Sequence, residues 1–431
     1  MNSKETAIVE SDEILAEIDI SENPPLEFEE TDYIDAVFSS DSGTQTVVSA
    51  PAIRTTFAPW HHPVKQIVRD YQWADLVKRL LTEARPENRR DRLRYFTLPG
   101  ADLLDVRVLA ESLSAMGTRI EYFGFDSGYE DEDNEGADLT GAYLLAESAL
   151  RQAGSISDRA EILRDKLEDI ALVGSHAAER LRQRGVFDVV NIDACNHLGY
   201  KPSGRNASIF EALEKLLAHQ LLADEPWLLF LTTRANVTQL GAPAAKLQSA
   251  IMKNIETHQE GFAETLADCI GGKLATIATD MSGCWSAQSI DFLKLFCVGL
   301  SKYLLQWYHA QTNLPAKVEL ASVFAYKVSG EEPDMLSMAF RISPKGLAVQ
   351  APSAGGATPL PAVELAQAIG MVSKAKRIWN LDEAIANNQE VRADAVSGTE
   401  RLLASANYDI SKWREWLRNL PIRPMELNDA A

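Results

Sequence analysis

The stretch GVFDVVNIDACNHLGY, Gly185 to Tyr200, ends an apolar run with a carboxylate, a thiol, an amide and an imidazole inside five positions. Asp193 is the type of group that accepts from hydroxyls or holds a cation, and Asn196 can both donate and accept. Cys195 and His197 stand too close along the chain to be read as a nucleophile–base pair. A cysteine at a strand end is commonly a small packed residue, as Ala194 beside it is. Three other apolar runs also stop on polar or turn-forming residues. RYFTL is followed by Pro99-Gly100 and Asp102, FGF by Asp126-Ser127, and PWLLFL by Thr232-Thr233-Arg234.

Several chemistries are excluded. The chain has no GxxxxGK[ST] phosphate loop, no GxSxG elbow, no HExxH and no paired CxxC. Its four cysteines, Cys195, Cys269, Cys284 and Cys297, are scattered and read as reduced thiols rather than a disulfide frame or a metal set. Trp60–Pro63, with two adjacent histidines, is too compact to hold a metal alone and reads as a turn leading into a helix.

The elements that must position these residues alternate. A helix is expected through VKQIVRDYQWADLVKRLLTEA, with Ile67, Tyr71, Ala74, Val77, Leu80 and Leu81 on its apolar face and Lys65, Arg69, Lys78 and Arg79 outside. Strands are expected at Arg94–Leu98, Thr118–Phe125, Val186–Ile192 and Pro226–Thr232. Helices are expected at Asp102–Met116, Leu139–Ala153, Asp158–Arg184 and Ala207–Leu222. Residues 236–312 read as mainly helical, apart from a loop over GGKLATIATDMSGCWS with room for a short strand. Val318–Val328 and Met335–Ile342 then form a hairpin across SGEEPD, and two or three helices close the chain. Apolar strands alternating with helices predict an α/β fold: a doubly wound, mostly parallel sheet with a terminal antiparallel hairpin, a helical insertion and a helical C-terminal part. In such a sheet the strand ends share one edge, where ligands bind at the reversal of strand order. Each aspartate taken singly reads as a turn cap; four polar strand ends together read as a pocket.

Composition sets the wider frame. The 46% hydrophobic content over 431 residues fits a large buried core, and no window is apolar enough for a membrane span. The first residues carry no basic start and apolar centre, so a cytoplasmic protein is expected. Thirteen acidic residues and one lysine within 1–42 supply −12 of the net charge of −20, so residues 1–55 read as an acidic disordered tail. A basic helix and connector over 56–92, an α/β domain over 93–350 with its insertion at 236–312, a linker at 351–361 and a helical part at 362–431 complete the expected organisation. Lys65, Arg69, Arg89, Arg90 and Arg92 belong to the most basic stretch. They read either as a solvated face paired with carboxylates or as a nucleic-acid surface.

The element order, with its hairpin last, resembles the class I S-adenosylmethionine-dependent methyltransferases over about residues 92–345. The resemblance implies S-adenosylmethionine as cofactor. Its methionine end would lie at Leu98, Pro99, Gly100 and Asp102, its ribose at Asp126 with Ser127 beside it, and Ala194 and Cys195 would line the site. Asp193 and Asn196 would stand at the acceptor side, where transfer needs positioning rather than a covalent catalyst. Two features depart from the family: the first turn, LPGADLLD, has one glycine and a proline, and no clear third strand is seen between 127 and 185. Two functions follow as expectations, methyl transfer to an unidentified acceptor with a lean to nucleic acid, or a non-catalytic scaffold contacting protein or nucleic acid. The second is similar in style to bacterial accessory proteins, antiphage defence proteins among them.

Overall fold

Alternation along the strands decides which core each side chain joins. In β1 (Arg92–Thr97), Tyr95 packs into one apolar cluster and Phe96 into the other, and in β5 (Trp227–Arg234) Phe230 and Leu229 do the same. β5 is buried over nearly all its length and β1 from Tyr95 onward, because helices cover both faces of the sheet. The computed structural model describes residues 53–126, 139–194, 196–201, 206–239, 241–257, 259–311, 314–345, 361–421 and 425. Residues 52–431 make one compact unit. The expected tail up to residue 52, Ser127, Cys195 and the expected linker as far as residue 360 lie outside the described residues.

Among the described residues the sheet has eight strands in the order β3-β2-β1-β4-β5-β7-β6-β8. The remaining strands are β2 (Arg119–Phe125), β3 (Glu161–Leu163), β4 (Val189–Asp193), β6 (Ala316–Tyr326), β7 (Met335–Pro344) and β8 (Trp379–Asn380). Strands β3, β2, β1, β4 and β5 are parallel, β7 runs antiparallel to β5, and β6 returns antiparallel to β7. The fold is thus a doubly wound, mostly parallel sheet with a late antiparallel hairpin, as the element order implied. The order reverses between β1 and β4, which places the topological switch point there.

The helices are α1 (Pro63–Ile67), α2 (Asp75–Ala84), α3 (Leu104–Leu113), α4 (Leu139–Gln152), α5 (His176–Arg182) and α6 (Ile209–His219). The insertion adds α7 (Gly241–Thr257), α8 (Glu264–Ile270), α9 (Ile277–Cys284) and α10 (Ile290–His309). The C-terminal part adds α11 (Pro361–Ala375), α12 (Leu381–Asn387), α13 (Gln389–Ser405) and α14 (Ile410–Arg418). Among the described residues no helix is long and apolar enough to cross a membrane.

Three elements differ from the sequence reading. The first long helix is interrupted by a π-type turn over Val68–Ala74, where Gln72 and Trp73 turn inward and Tyr71 outward. The expected helix Asp158–Arg184 holds instead the third strand, a 3-10 turn at Leu167–Ala171 and α5. That strand has only three residues, and Glu161 at its start is fastened by Arg180 at 2.5 Å and by Arg184. A strand so short leaves no periodicity to read. The expected loop at Gly271–Ser286 contains α9.

Candidate functional site

The parallel strands deliver their carboxyl ends to one edge. After β1, Leu98 is half-buried, Pro99 buried and Gly100 exposed. The turn closes with Leu103 donating its backbone N–H to the Gly100 carbonyl at 3.0 Å, at φ 53°, a left-handed conformation that a leucine adopts only under strain. Pro99 sits against β2, and a Cβ at Gly124 would fall 2.8 Å from the Pro99 ring and 3.0 Å from the Thr97 carbonyl oxygen. Glycine at 124 therefore allows the proline turn to lie flat on the neighbouring strand.

Asp126 is half-buried at the tip of β2, its backbone N–H donating to the Leu163 carbonyl at 2.9 Å. Ala194 is buried and donates from its backbone to Thr232. Asn196 is exposed, and its carbonyl accepts from Thr233 Oγ1 at 3.1 Å and from the Arg234 backbone at 3.2 Å. Asp126, Asp193 and the Leu98–Leu103 turn thus share one edge.

Groups from the chain's own ends meet this edge. Lys65 Nζ lies 2.5 Å from Asp193 Oδ1 and 4.9 Å from the Trp73 ring centroid, with Tyr326 Oη at 3.5 Å. Burial pushes the Lys65 ammonium down, but Asp193 and Tyr326 outweigh it and its pKa ends above the ordinary lysine value. Asp102 accepts from Tyr408 Oη at 2.5 Å and pairs with Arg54. Asp105, buried at the start of α3, accepts from Thr97 Oγ1 at 2.5 Å and Tyr95 Oη at 2.8 Å, and Asn191 donates to the same Tyr95 hydroxyl at 2.8 Å. Burial raises the Asp105 pKa despite these donors.

Arg69 is 3% exposed and donates from Nη2 to the Trp60 carbonyl at 3.0 Å, while its Nε and Nη1 have no hydrogen-bond partner. Asn191 Oδ1, Gln66 Oε1 and His61 Nε2 are also buried without one. Burial pushes the Arg69 guanidinium down, against the pull of Asp193, Asp105 and Asp70.

These positions correct the expected basic face. Lys65 and Arg69 do not share a surface with Arg89, Arg90 and Arg92: α13 packs over α1, Lys65 reaches Asp193 and Tyr326 of the sheet, and Arg69 is buried in the turn that follows. Gly398 of α13 is where Gln66 and Asp70 approach. Polar residues at 65, 69 and 72 form an i, i+4, i+7 stripe, which one-sided amphipathicity assigns to solvent although the α13 cover is 330 residues away in the chain.

The opposite edge, where the parallel strands begin, holds a hollow of about 450 Å³. Asp188, just before β4, is its buried anchor. It accepts from the Arg94 backbone at 2.8 Å, from the Arg94 guanidinium at 2.9 and 3.2 Å, and from Arg85 at 3.0 Å. Burial alone pushes the Asp188 carboxyl up, yet Arg94 and Arg85 hold it below the usual carboxylate range. Arg85 also reaches Glu225 at 3.1 Å, and Arg89 pairs with the same carboxylate at 3.1 Å. Arg90 is spent on the end of α2, donating to the Arg85 and Thr82 carbonyls at 3.0 and 2.9 Å. Arg92 pairs with Glu121 at 3.4 Å.

The sequence reading missed Lys65 as the partner of Asp193, Asp105 and Asn191 as interior polar groups, and Asp188 as a double arginine anchor. A signal existed for Asp105, which shares the apolar stripe of Leu109 and Leu113, and for Asp188, a charge embedded in VFDVV.

A family model described as PP_RS20740-like matches residues 54–418. No curated protein matches the chain. A solved structure described as a candidate class I S-adenosylmethionine-dependent methyltransferase from Listeria monocytogenes is similar at 9% identity with a TM-score of 0.34, covering 81% of this chain and 73% of that one.

Proposed function

The chain belongs to the PP_RS20740-like family, and we propose that it uses a methyltransferase-like sheet for binding, as a non-catalytic scaffold or adaptor. One observation carries this reading: Lys65 Nζ stands 2.5 Å from Asp193 Oδ1, at the strand tip where the acceptor side of a methyl transfer would lie. Two of the expected cofactor positions are engaged as well. Asp102 serves Tyr408 and Arg54, and Pro99 lies flat over Gly124 where backbone amides would have to meet the methionine end. Proline has no N–H to offer there. As the side chains stand, this donor set does not fit S-adenosylmethionine, and no catalytic step is assigned.

A second reading, S-adenosylmethionine-dependent methyl transfer, is favoured by two features: Asp126 at the tip of β2, and a buried Arg69 with two unpartnered nitrogens. Calorimetric titration of the full chain with S-adenosylmethionine separates the two. The scaffold reading expects no heat at millimolar ligand. Saturable heat that disappears in Asp126→Ala supports the transferase and overturns the scaffold.

A further inference from the structure

The hollow at the amino-terminal edge has a charge arrangement that the protein does not complete by itself. Arg92 and Arg119 are register partners at the starts of the adjacent parallel strands β1 and β2. Like charges set directly beside one another on a sheet oppose its pairing unless an anion lies between them. Glu121 meets Arg92 at 3.4 Å, but among the described residues no carboxylate pairs with the Arg119 or Arg159 guanidinium. Both are exposed and line the hollow.

The acids of the lining are largely committed elsewhere. Asp188 holds Arg85 and Arg94, Glu225 holds Arg85 and Arg89, and Asp158 is fully solvated and reaches Arg151 at 3.5 Å. Glu121, on Arg92 at 3.4 Å, and the exposed Asp91 are the carboxylates that oppose an incoming anion. The wall is stiff, because the buried Asp188 fixes two arginines through several charge-assisted bonds.

We infer that this hollow is a phosphate-binding site, with a phosphate group seated between Arg92, Arg119 and Arg159. Planar guanidinium forks match phosphate oxygens two at a time, which suits them to this ligand. A volume of about 450 Å³ lies in the range of small-ligand sites and accommodates a nucleotide-sized group. The site lies at the far edge of the sheet from Asp126 and Asp193, so the inference stands independently of whether S-adenosylmethionine binds.

The test uses the full chain at a fixed salt concentration. Pyrophosphate and ATP are titrated calorimetrically, and a fluorescent single-stranded oligonucleotide by anisotropy. The variant is Arg119→Glu with Arg159→Glu. Its control, Lys215→Glu with Lys412→Glu, makes the same change in net charge at exposed residues outside the hollow. The expected result is saturable binding of at least one probe, weakened about tenfold or more in the arginine variant and much less in the control. Binding of pyrophosphate and ATP alone identifies a free phosphate compound as the ligand. Binding of the oligonucleotide, with an affinity falling steeply with salt, identifies nucleic acid as the source of the phosphate. Absence of binding by all three probes, or equal losses in variant and control, overturns the inference.

Discussion

Lys65 and Asp193, 128 positions apart, meet at 2.5 Å over the tip of β4, the lysine side chain 6% exposed and the carboxylate 27%. Strand β4 therefore has a cation at each end: Lys65 on Asp193 beyond it, and Arg94 with Arg85 on Asp188 before it. One edge is closed by the chain's own amino-terminal segment, and the other is opened and lined by arginines. That asymmetry is what supports the proposal of a scaffold at the first edge and the inference of phosphate binding at the second.

Asp188 is the most completely enclosed carboxylate in these pairings, and its loss strands Arg94 and leaves Arg85 with Glu225 alone. Asp188→Asn is expected to lower unfolding free energy by about 3 kcal/mol or more, the usual result of breaking a buried ion pair from one side. Its folded pKa lies below the ordinary value, so its contribution is present above the unfolded pKa near 4 and fades as pH falls below it. Urea denaturation at pH 7 and in acid measures both. A loss as large at the acid end as at pH 7 contradicts the assignment.

His61 accepts the Ala58 backbone N–H at Nδ1, 3.0 Å away, which only a neutral imidazole can do. Burial, then the Arg69 and Arg54 charges, lower its pKa to about 3. The unfolded chain binds this proton near pH 6.5, so stability is full above that value and falls as pH drops toward about 3. The slope contributed is at most about 1.4 kcal/mol per pH unit. In His61→Gln the stability–pH profile between 6.5 and 4 is expected to flatten by up to that amount, although His197, His219 and His309, also shifted downward, keep part of the slope. Parallel profiles for the two proteins count against a buried neutral His61.

Gly124→Ala places a methyl 2.8 Å from Pro99 Cδ and 3.0 Å from the Thr97 carbonyl. Overpacking of this kind costs about 1–3 kcal/mol. Pro99→Ala removes the nearer obstacle, so the double variant is expected to be less destabilised than the sum of the two singles. Strict additivity, measured by thermal or urea unfolding, means that Pro99 does not lie against β2 as described.

The fold was largely legible because its signals are local. Runs such as VVNID and WLLFLTTR state strands buried on both faces, and SGEEPD between two such runs states a hairpin. Strand β3 escaped because three residues carry no period. The candidate site was legible only by half. That Asp126 and Asp193 end their strands on one edge follows from parallel topology. That Lys65 meets Asp193 is a contact across 128 positions, and the folding back of α13 over α1 joins residues about 330 positions apart; no local pattern encodes either. The same fold-back converts Lys65 and Arg69 from apparent surface charges into interior ones.

The central claim, that Lys65 closes the β4 tip, is tested most directly by a double-mutant cycle on unfolding free energy with Lys65→Met and Asp193→Ala. Asp193→Ala leaves a buried ammonium without its carboxylate and is expected to cost more than Lys65→Met, whose stranded carboxylate can rehydrate. The two changes together are expected to cost less than their sum by about 1 kcal/mol or more. A coupling energy near zero, with Asp193→Ala tolerated, would place Lys65 away from Asp193 and leave the crevice open.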